Sequence, residues 1–348
     1  WNASLQIIPY FEEYLGINYT LNKSDDVGIS ARPNAMEHWG LITYDTNRII
    51  IDIDTASLED KIRCALVISH EVIHYWFGNL VTTKWWNSIW LNEGFARYFE
   101  YIGAEYTNNE LNVWDYYISR TDDLMDNDVS IFQEYSVNMN EDDVNTLSQI
   151  RGMFGGTSYN KGASIIKMMR EYIGDDIFIS ACNDYLNRYS CSNANTDDFI
   201  SVFEEYYPGI NQFISKWLNN IGFPVVYVNI FEINDDMVNV TLRQERMLKN
   251  RGNISGDSLW VVPINVFNMD SNDGYPNMFD NDMISFDVNK TEYYVFNTDM
   301  IYYYRVFYDE YSLSLLLNAF DTLPYWTQYS IISDQKAFMY YNYKDSVK

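Results

Sequence analysis

The chain has 348 residues, 47% of them apolar and 17% aromatic, and carries 23 Lys+Arg against 49 Asp+Glu, a formal charge of −26. At roughly 100–200 residues per domain this predicts about two domains with sizeable cores, and the aromatic content excludes disorder over most of the chain. The charge excludes nucleic acid as a partner, three cysteines are too few for a disulfide framework, and no run of about 18 apolar residues is present to span a membrane.

The chain opens at Trp1 in what reads as mid-domain sequence, so a central fragment or processed product of a longer protein is expected. Sequons occur at Asn2, Asn18, Asn22, Asn239, Asn253 and Asn289. Chance alone gives roughly four or five at this composition, so they permit export without arguing for it. Residues 41–54 alternate and are β-branched, which predicts a strand. Ser57 followed by Asp60 marks a helix start. Ile62, Leu66, Val67, Ile73 and Phe77 give the following helix, of about twenty residues, one buried face; Gly78 and Asn79 are expected to end it. A second helix is expected from about Ser88 to Tyr106. More helices follow over 110–222, with loops near 121–147 and 191–197. At Phe223-Pro224 the pattern changes to short alternating strands, predicting a β-sandwich from Val225 to about Tyr308. After Asp309 the chain turns helical again.

The chain has three histidines, and two of them fall in His70-Glu71-Val72-Ile73-His74. On a helix, positions i and i+4 share a face, so both imidazoles reach one cation. Glu71 is then placed to contact a water on the metal rather than the metal itself. Catalytic zinc takes three protein ligands and keeps one position open. Glu93, nineteen positions after His74 on the next helix, is the candidate third ligand. The competing reading is a pair of core histidines with an incidental glutamate. It is disfavoured because so rare a residue fills the spacing twice.

The run HEVIHYWFGNLVTTKWWNSIWLNEGFARYFEY, from His70 to Tyr101, resembles the signature of the aminopeptidase N-like (membrane alanyl aminopeptidase type) zinc metallopeptidases, a gluzincin family. Upstream, Asn34-Ala35-Met36-Glu37-His38-Trp39-Gly40 stands in the place of the family's Gly-Ala-Met-Glu-Asn-Trp-Gly. Downstream, Ser158-Tyr159-Asn160-Lys161-Gly162-Ala163 matches its Tyr-x-Lys-Gly-Ala segment. Gly222-Phe223-Pro224-Val225 and Tyr304-Arg305-Val306 match the entry to and exit from its β-sandwich. The resemblance implies an α+β multidomain fold. A thermolysin-like, mostly helical catalytic domain, incomplete at its N-terminus, would span 1–224. A β-sandwich domain over 225–310 and the beginning of a C-terminal α-helical domain over 311–348 would follow.

The resemblance also implies an activity: hydrolysis of the N-terminal peptide bond of peptides by a zinc-activated water. One Zn2+ per chain would be held by His70, His74 and Glu93. Glu71 would be the general base, and Tyr159 would donate a hydrogen bond to the oxyanion. Glu37 would grip the substrate's α-ammonium, with Asn34, Ala35, Met36 and His38 as the adjoining substrate-binding residues. The implied partners are peptides with a free N-terminus, with a homo- or heterodimer as the assembly. The implied location is the extracellular face of the plasma membrane, or secretion, with any membrane anchor outside this stretch.

Two positions depart from the family pattern. Asn34 replaces a glycine; it tolerates unusual dihedrals but adds a side chain at the cleft. His38 replaces an asparagine, either as a hydrogen-bonding stand-in or as a group that titrates near neutrality. Both bear on rate and substrate preference and leave zinc binding alone. From a different class comes the alternative of a receptor or binding protein that retains zinc with reduced turnover. A zinc endopeptidase is a third reading, and pairing of Glu37 with a free ammonium argues against it. The acidic field favours cationic substrates weakly, being screened beyond about 8 Å at physiological salt. Cys64 is expected to be a buried thiol, and Cys182 and Cys191 are candidates for pairing on export.

Overall fold

The computed structural model describes residues 3–31, 34–52, 54–130, 135–249, 258–267 and 275–341. The chain divides into two units, Trp1–Thr121 with Val137–Asn211, and Asp122–Ser136 with Gln212–Lys348. The fold mixes helix and sheet throughout.

The first unit starts with helix α1 (Ala3–Leu15) and the strands β1 (Asp25–Ile29), β2 (Ala35–Met36) and β3 (Leu41–Asp45). The third strand is central, parallel to the first and antiparallel to the second. The strand expected over 41–54 ends early, at Asp45. Its carboxylate accepts the backbone N–H of Asn47 at 3.0 Å and caps a short helix, α2 (Thr46–Ile49). Residue 53 lies outside the described residues.

Helix α3 (Leu58–Ile73) begins as its sequence requires: Ser57 Oγ accepts the N–H of Asp60 at 3.1 Å. It stops at Ile73, before the expected glycine. The N–H groups of Tyr75 and Trp76 reach carbonyls three residues back, each at 3.0 Å, and this tightening ends the α-helical ladder. Strand β4 (Val81–Thr83) then leads to α4 (Trp90–Thr107), close to the expected second helix.

Helix α4 packs against α3 and against α7 (Gly162–Ile173), and glycine permits both approaches. A Cβ at Gly103 would sit 2.1 Å from Ser69 Oγ and 3.1 Å from the Phe11 ring. A Cβ at Gly94 would lie 3.2 Å from the backbone of Gly162. Around these contacts the core is aromatic: Phe77 stacks on Phe95 with centroids 4.1 Å apart, and Phe11, Trp76 and Phe99 meet edge to face.

Between α4 and α7 come α5 (Val113–Asp128) and α6 (Leu147–Met153). The loop expected from about 121 is therefore helical to Asp128, and residues 131–134 lie outside the described residues. Then follow α8 (Asp175–Arg188), β5 (Ser192–Ala194), α9 (Thr196–Tyr206) and α10 (Ile210–Asn219). The loop expected at 191–197 contains β5, which pairs in parallel with β4.

In the second unit, β6 (Pro224–Glu232) and β7 (Met237–Arg246) form an antiparallel hairpin, with Val225 opposite Glu245 and Ile230 opposite Val240. Along β7, Val238, Val240 and Leu242 are buried and their neighbours are not, the period-two pattern of a half-buried strand. The short strands β8 (Val262–Pro263) and β9 (Val266–Phe267) pair with β10 (Met278–Phe279) and β12 (Val295–Phe296) respectively. With β11 (Met283–Asn289) and β13 (Arg305–Tyr308) the main sheet has the order β11-β7-β6-β13, and β13 runs parallel to β6. It is an open sheet. The helices α11 (Glu310–Ala319) and α12 (Tyr325–Tyr340) follow, as the sequence after Asp309 predicts.

Arg305 is fully buried. Its Nη2 donates to Asp122 Oδ1 at 2.8 Å and Asp126 Oδ1 at 3.0 Å, and its Nη1 to Asp334 Oδ1 at 3.0 Å. Asp122 and Asp126, one helical turn apart on α5, explain why that helix continues where a loop is expected.

Cys64 and Cys182 are buried, Cys191 is exposed, and all three thiols are free, so the candidate pairing of Cys182 with Cys191 does not form. Among the described residues, no helix is long and apolar enough to cross a membrane.

The Gly103 contact yields a test. Gly103→Ala should destabilise the protein by about 1–3 kcal/mol, the usual scale of overpacking. Adding Ser69→Ala should recover part of that loss in the same thermal or denaturant unfolding measurement. Strict additivity of the two changes would show that the helices do not meet there.

Candidate metal centre and cleft

His70 lies in the last turn of α3, and His74 is the residue that ends it. His74 Nδ1 is 2.9 Å from the carbonyl oxygen of Phe77. A carbonyl only accepts, so Nδ1 carries a proton and Nε2 is the atom left for a metal. His70 Nδ1 lies 2.7 Å from Glu100 Oε2, which orients that ring in the same way. The two Nε2 atoms face each other across 3.2 Å. Glu93 Oε2, from the first turn of α4, lies 3.5 Å from His70 Nε2 and 3.4 Å from His74 Nε2.

This donor set fits a metal ion. All three side chains are buried, and Glu93 Oε2 has no hydrogen-bond partner among the described residues. The ligand atoms lie within 4.8 Å of one another. Tetrahedral coordination with bonds of ~2.0–2.1 Å separates ligands by ~3.3 Å, close to the spacings found. Two imidazoles with one carboxylate suit a borderline transition ion such as zinc better than calcium or magnesium. The electrostatics agree. Burial alone would depress His74, but Glu37 and Glu93 raise it to about 10, so the pocket holds positive charge strongly. Burial would likewise raise Glu93, yet His74 and His70 hold its carboxyl well below the usual range.

The other expected residues are placed as follows. Glu71 is buried, its Oε2 has no hydrogen-bond partner among the described residues, and burial pushes its carboxyl up to about 7 against the pull of both imidazoles. Tyr159 sits in a wide, π-type turn (Thr157–Lys161) leading into α7. Its ring lies parallel to that of His70, centroids 6.1 Å apart. Burial, then the charge of Glu93, raises its hydroxyl far above the ordinary value, so it remains a proton-bearing donor. Glu37 follows β2, and its carbonyl accepts from Asn79 Nδ2 at 2.7 Å.

The strand register, Ala35 opposite Tyr44 and Met36 opposite Thr43, sets Asn34, Ala35, Met36 and Glu37 along one wall of a cleft of about 1380 Å³. Glu71, Tyr159 and the three ligand residues line the same cleft. Asn34 adopts φ +61°, a conformation that asparagine tolerates better than most residues, and its Oδ1 accepts from Arg48 Nη2 at 3.5 Å. His38 is exposed and does not line the cleft.

Two residues that the sequence reading passed over belong to this centre. Glu100 bridges His70 Nδ1 and Arg97 Nη1, the latter at 2.6 Å. Burial favours its neutral form, but Arg97, then His70 and Arg120, hold it below the ordinary carboxylate range. Spacings of four and seven from Glu93 put Arg97 and Glu100 on its face of α4, a signal present in the sequence.

The cleft thus brings together a His-His-Glu cluster that could hold one metal ion and a buried carboxylate, Glu71, beside it. Residues 1–217 match the Peptidase family M1 domain, and the chain belongs to that family. It is similar to glutamyl aminopeptidase of Bos taurus, 36% identical over 272 residues, 76% of this chain and 27% of that protein. It is also similar to aminopeptidase N of Mus musculus, 30% identical over 346 residues, 92% of this chain and 34% of that one. Aminopeptidase Ey of Gallus gallus is 30% identical over 363 residues, 94% of this chain and 35% of that protein. The chain thus spans between about a quarter and about a third of the length of these relatives.

The bridge through Glu100 predicts that Glu100→Gln weakens zinc binding by about 10–100-fold, the usual effect of removing a ligand's outer partner. Competition against a chelating dye measures it. Unchanged affinity would mean that Glu100 does not orient His70.

Proposed function

We propose that this chain is the catalytic part of a zinc-dependent aminopeptidase, hydrolysing the N-terminal peptide bond of peptides. The observation that carries the reading is a carboxylate, Glu37, facing the same cleft as the His70, His74 and Glu93 cluster. A metal site beside a carboxylate in a partly closed cleft suits a substrate with a free ammonium, whereas an internal peptide nitrogen offers no charge to pair.

His70, His74 and Glu93 would hold zinc, which when bound would supply a Lewis acid to polarise the scissile carbonyl and acidify water. The remaining work belongs to the chain. Glu37 holds the α-ammonium and so fixes which peptide bond is presented. Glu71 takes the proton of the attacking water and passes it to the departing amine. Tyr159 donates its hydroxyl to the oxygen on which negative charge develops. Glu100 and the Phe77 carbonyl keep both imidazoles in the orientation that ligation needs.

This reading carries the domain order expected above: a catalytic domain, a β-sandwich and the start of a helical domain. It also carries exposure of the whole protein to the cell exterior, with any anchor outside this stretch. The names of the similar proteins, aminopeptidases each, support it.

Hydrolysis of amino-acid p-nitroanilides by the complete protein, abolished by a chelator and restored by zinc, is the direct test. Glu71→Gln should lower kcat by about 10²–10⁴, and Tyr159→Phe by about 10²–10³. Retained zinc with no hydrolysis in the unsubstituted protein would instead favour a binding protein. Equal cleavage of N-terminally blocked peptides would overturn the role of Glu37.

A further inference from the structure

Five cationic side chains line the cleft, Arg48, Arg63, Lys84, Arg97 and Arg120, in a chain whose acids outnumber its bases 49 to 23. Three of them come from helices at the His70 end. Arg63 precedes His70 by two turns of α3, and Arg97 follows Glu93 by one turn of α4. Arg120, on α5, lies over the Tyr116 ring at 5.0 Å. Acidic charge is outnumbered there. Arg63 pairs with the exposed Glu59. Glu100 faces both Arg97 and Arg120 while also bonding to His70. Arg97 Nε is buried without a hydrogen-bond partner among the described residues. A buried donor left unpaired is unfavourable, and an acceptor on a ligand relieves it.

Glu37 lies toward the His74 side of the cleft. Its charge acts on His74 and Glu71, and its carbonyl is held by Asn79, beyond the end of α3. A peptide held by its ammonium at Glu37, with the scissile carbonyl at the His70, His74 and Glu93 cluster, therefore extends its leaving portion toward the arginines.

The geometry points to a subsite formed by Arg63, Arg97 and Arg120 for a carboxylate on the residue that follows the scissile bond. It deepens the aminopeptidase reading and rests on it for the direction of the peptide. Guanidinium groups suit this ligand because their forked donors match a carboxylate's two oxygens. Two sources share the chemistry: an acidic side chain, or the terminal carboxylate of a dipeptide.

The test uses the complete, zinc-loaded protein carrying Glu71→Gln, so that binding is read without turnover. Calorimetry compares Ala-Gln-amide, Ala-Glu-amide and Ala-Gln with a free C-terminus. At least one of the two carboxylate-bearing ligands should bind about 10-fold tighter than Ala-Gln-amide, and which one does so identifies the source. The preference should shrink in Arg120→Gln, persist in part in Arg120→Lys, and weaken as salt rises. The salt series on the protein with all three arginines intact serves if Arg120→Gln does not fold. Equal affinity for all three ligands overturns the subsite. Turnover of the same ligands by the unsubstituted protein separates the two ideas: a binding preference without hydrolysis sinks the aminopeptidase reading alone, and hydrolysis with equal affinities sinks the subsite alone.

Discussion

The close approach of α3 and α4 is the constraint on which the centre depends. Gly103 lets the helices meet at Ser69, the residue before His70, where a side chain would force them apart. The same contact sets Glu93, at the start of α4, opposite the two imidazoles at the end of α3. Ligand distances in metal sites are held to about 0.2 Å, so a shift of even half an ångström between the helices would take Glu93 out of reach of an ion shared with the imidazoles. Gly94 repeats the device on another contact of α4, against Gly162, and the turn that carries Tyr159 runs directly into that glycine. One packing arrangement therefore sets the position of the two histidines, the glutamate and the phenol together.

Packing at this density also buries charge, and part of that charge is answered by direct pairing. His70, Glu100 and Arg97 form a chain in which an imidazole is held by a carboxylate and the carboxylate by a guanidinium. Removing one link would strand its neighbour in a medium that solvates it poorly, which is costlier than never having buried the pair. The second unit uses the same logic without a metal. There Arg305 satisfies aspartates from α5 and α12, and the bond from Val306 N–H to Asp334 Oδ2, at 2.9 Å, ties the network to β13. The first network orients the His70 imidazole, and the second fixes how helices and sheet of one unit meet.

What the sequence made legible follows the range of the interactions. His70 and His74 declare themselves because four residues make one helical turn, and Ser57 caps α3 because its partner, Asp60, is three residues away. The ending of the 41–54 strand is also local, but it rests on Asp45 acting as a cap, and a β-branched run conceals that. The continuation of α5 past Thr121 depends on Arg305, some 180 residues later, and no local pattern reports such a partner. Glu100 and Arg97 were legible in principle from their spacing along α4, but an acidic chain offers many such spacings, and only the facing imidazole singles these out. Tyr159 is one of 31 tyrosines, so the family motif drew notice to it before its place beside His70 did.

Net charge shows the limit of composition most clearly. A total of −26 suggests a field that draws in cations, yet the cleft collects five of the chain's 23 basic residues. The two observations do not conflict, because salt screens surface charge beyond about 8 Å while groups facing a ligand inside a cleft act at contact distance and in a poorer dielectric. Distant charges act on how fast a charged ligand arrives, and neighbouring groups on which end of it is held where. In this cleft those neighbours include both signs, a carboxylate at Glu37 and guanidiniums beyond His70. On the proposed reading, an arrangement of that kind would orient a peptide by its own charges, ammonium toward one end and carboxylate toward the other, and a uniformly acidic surface has no means of doing so.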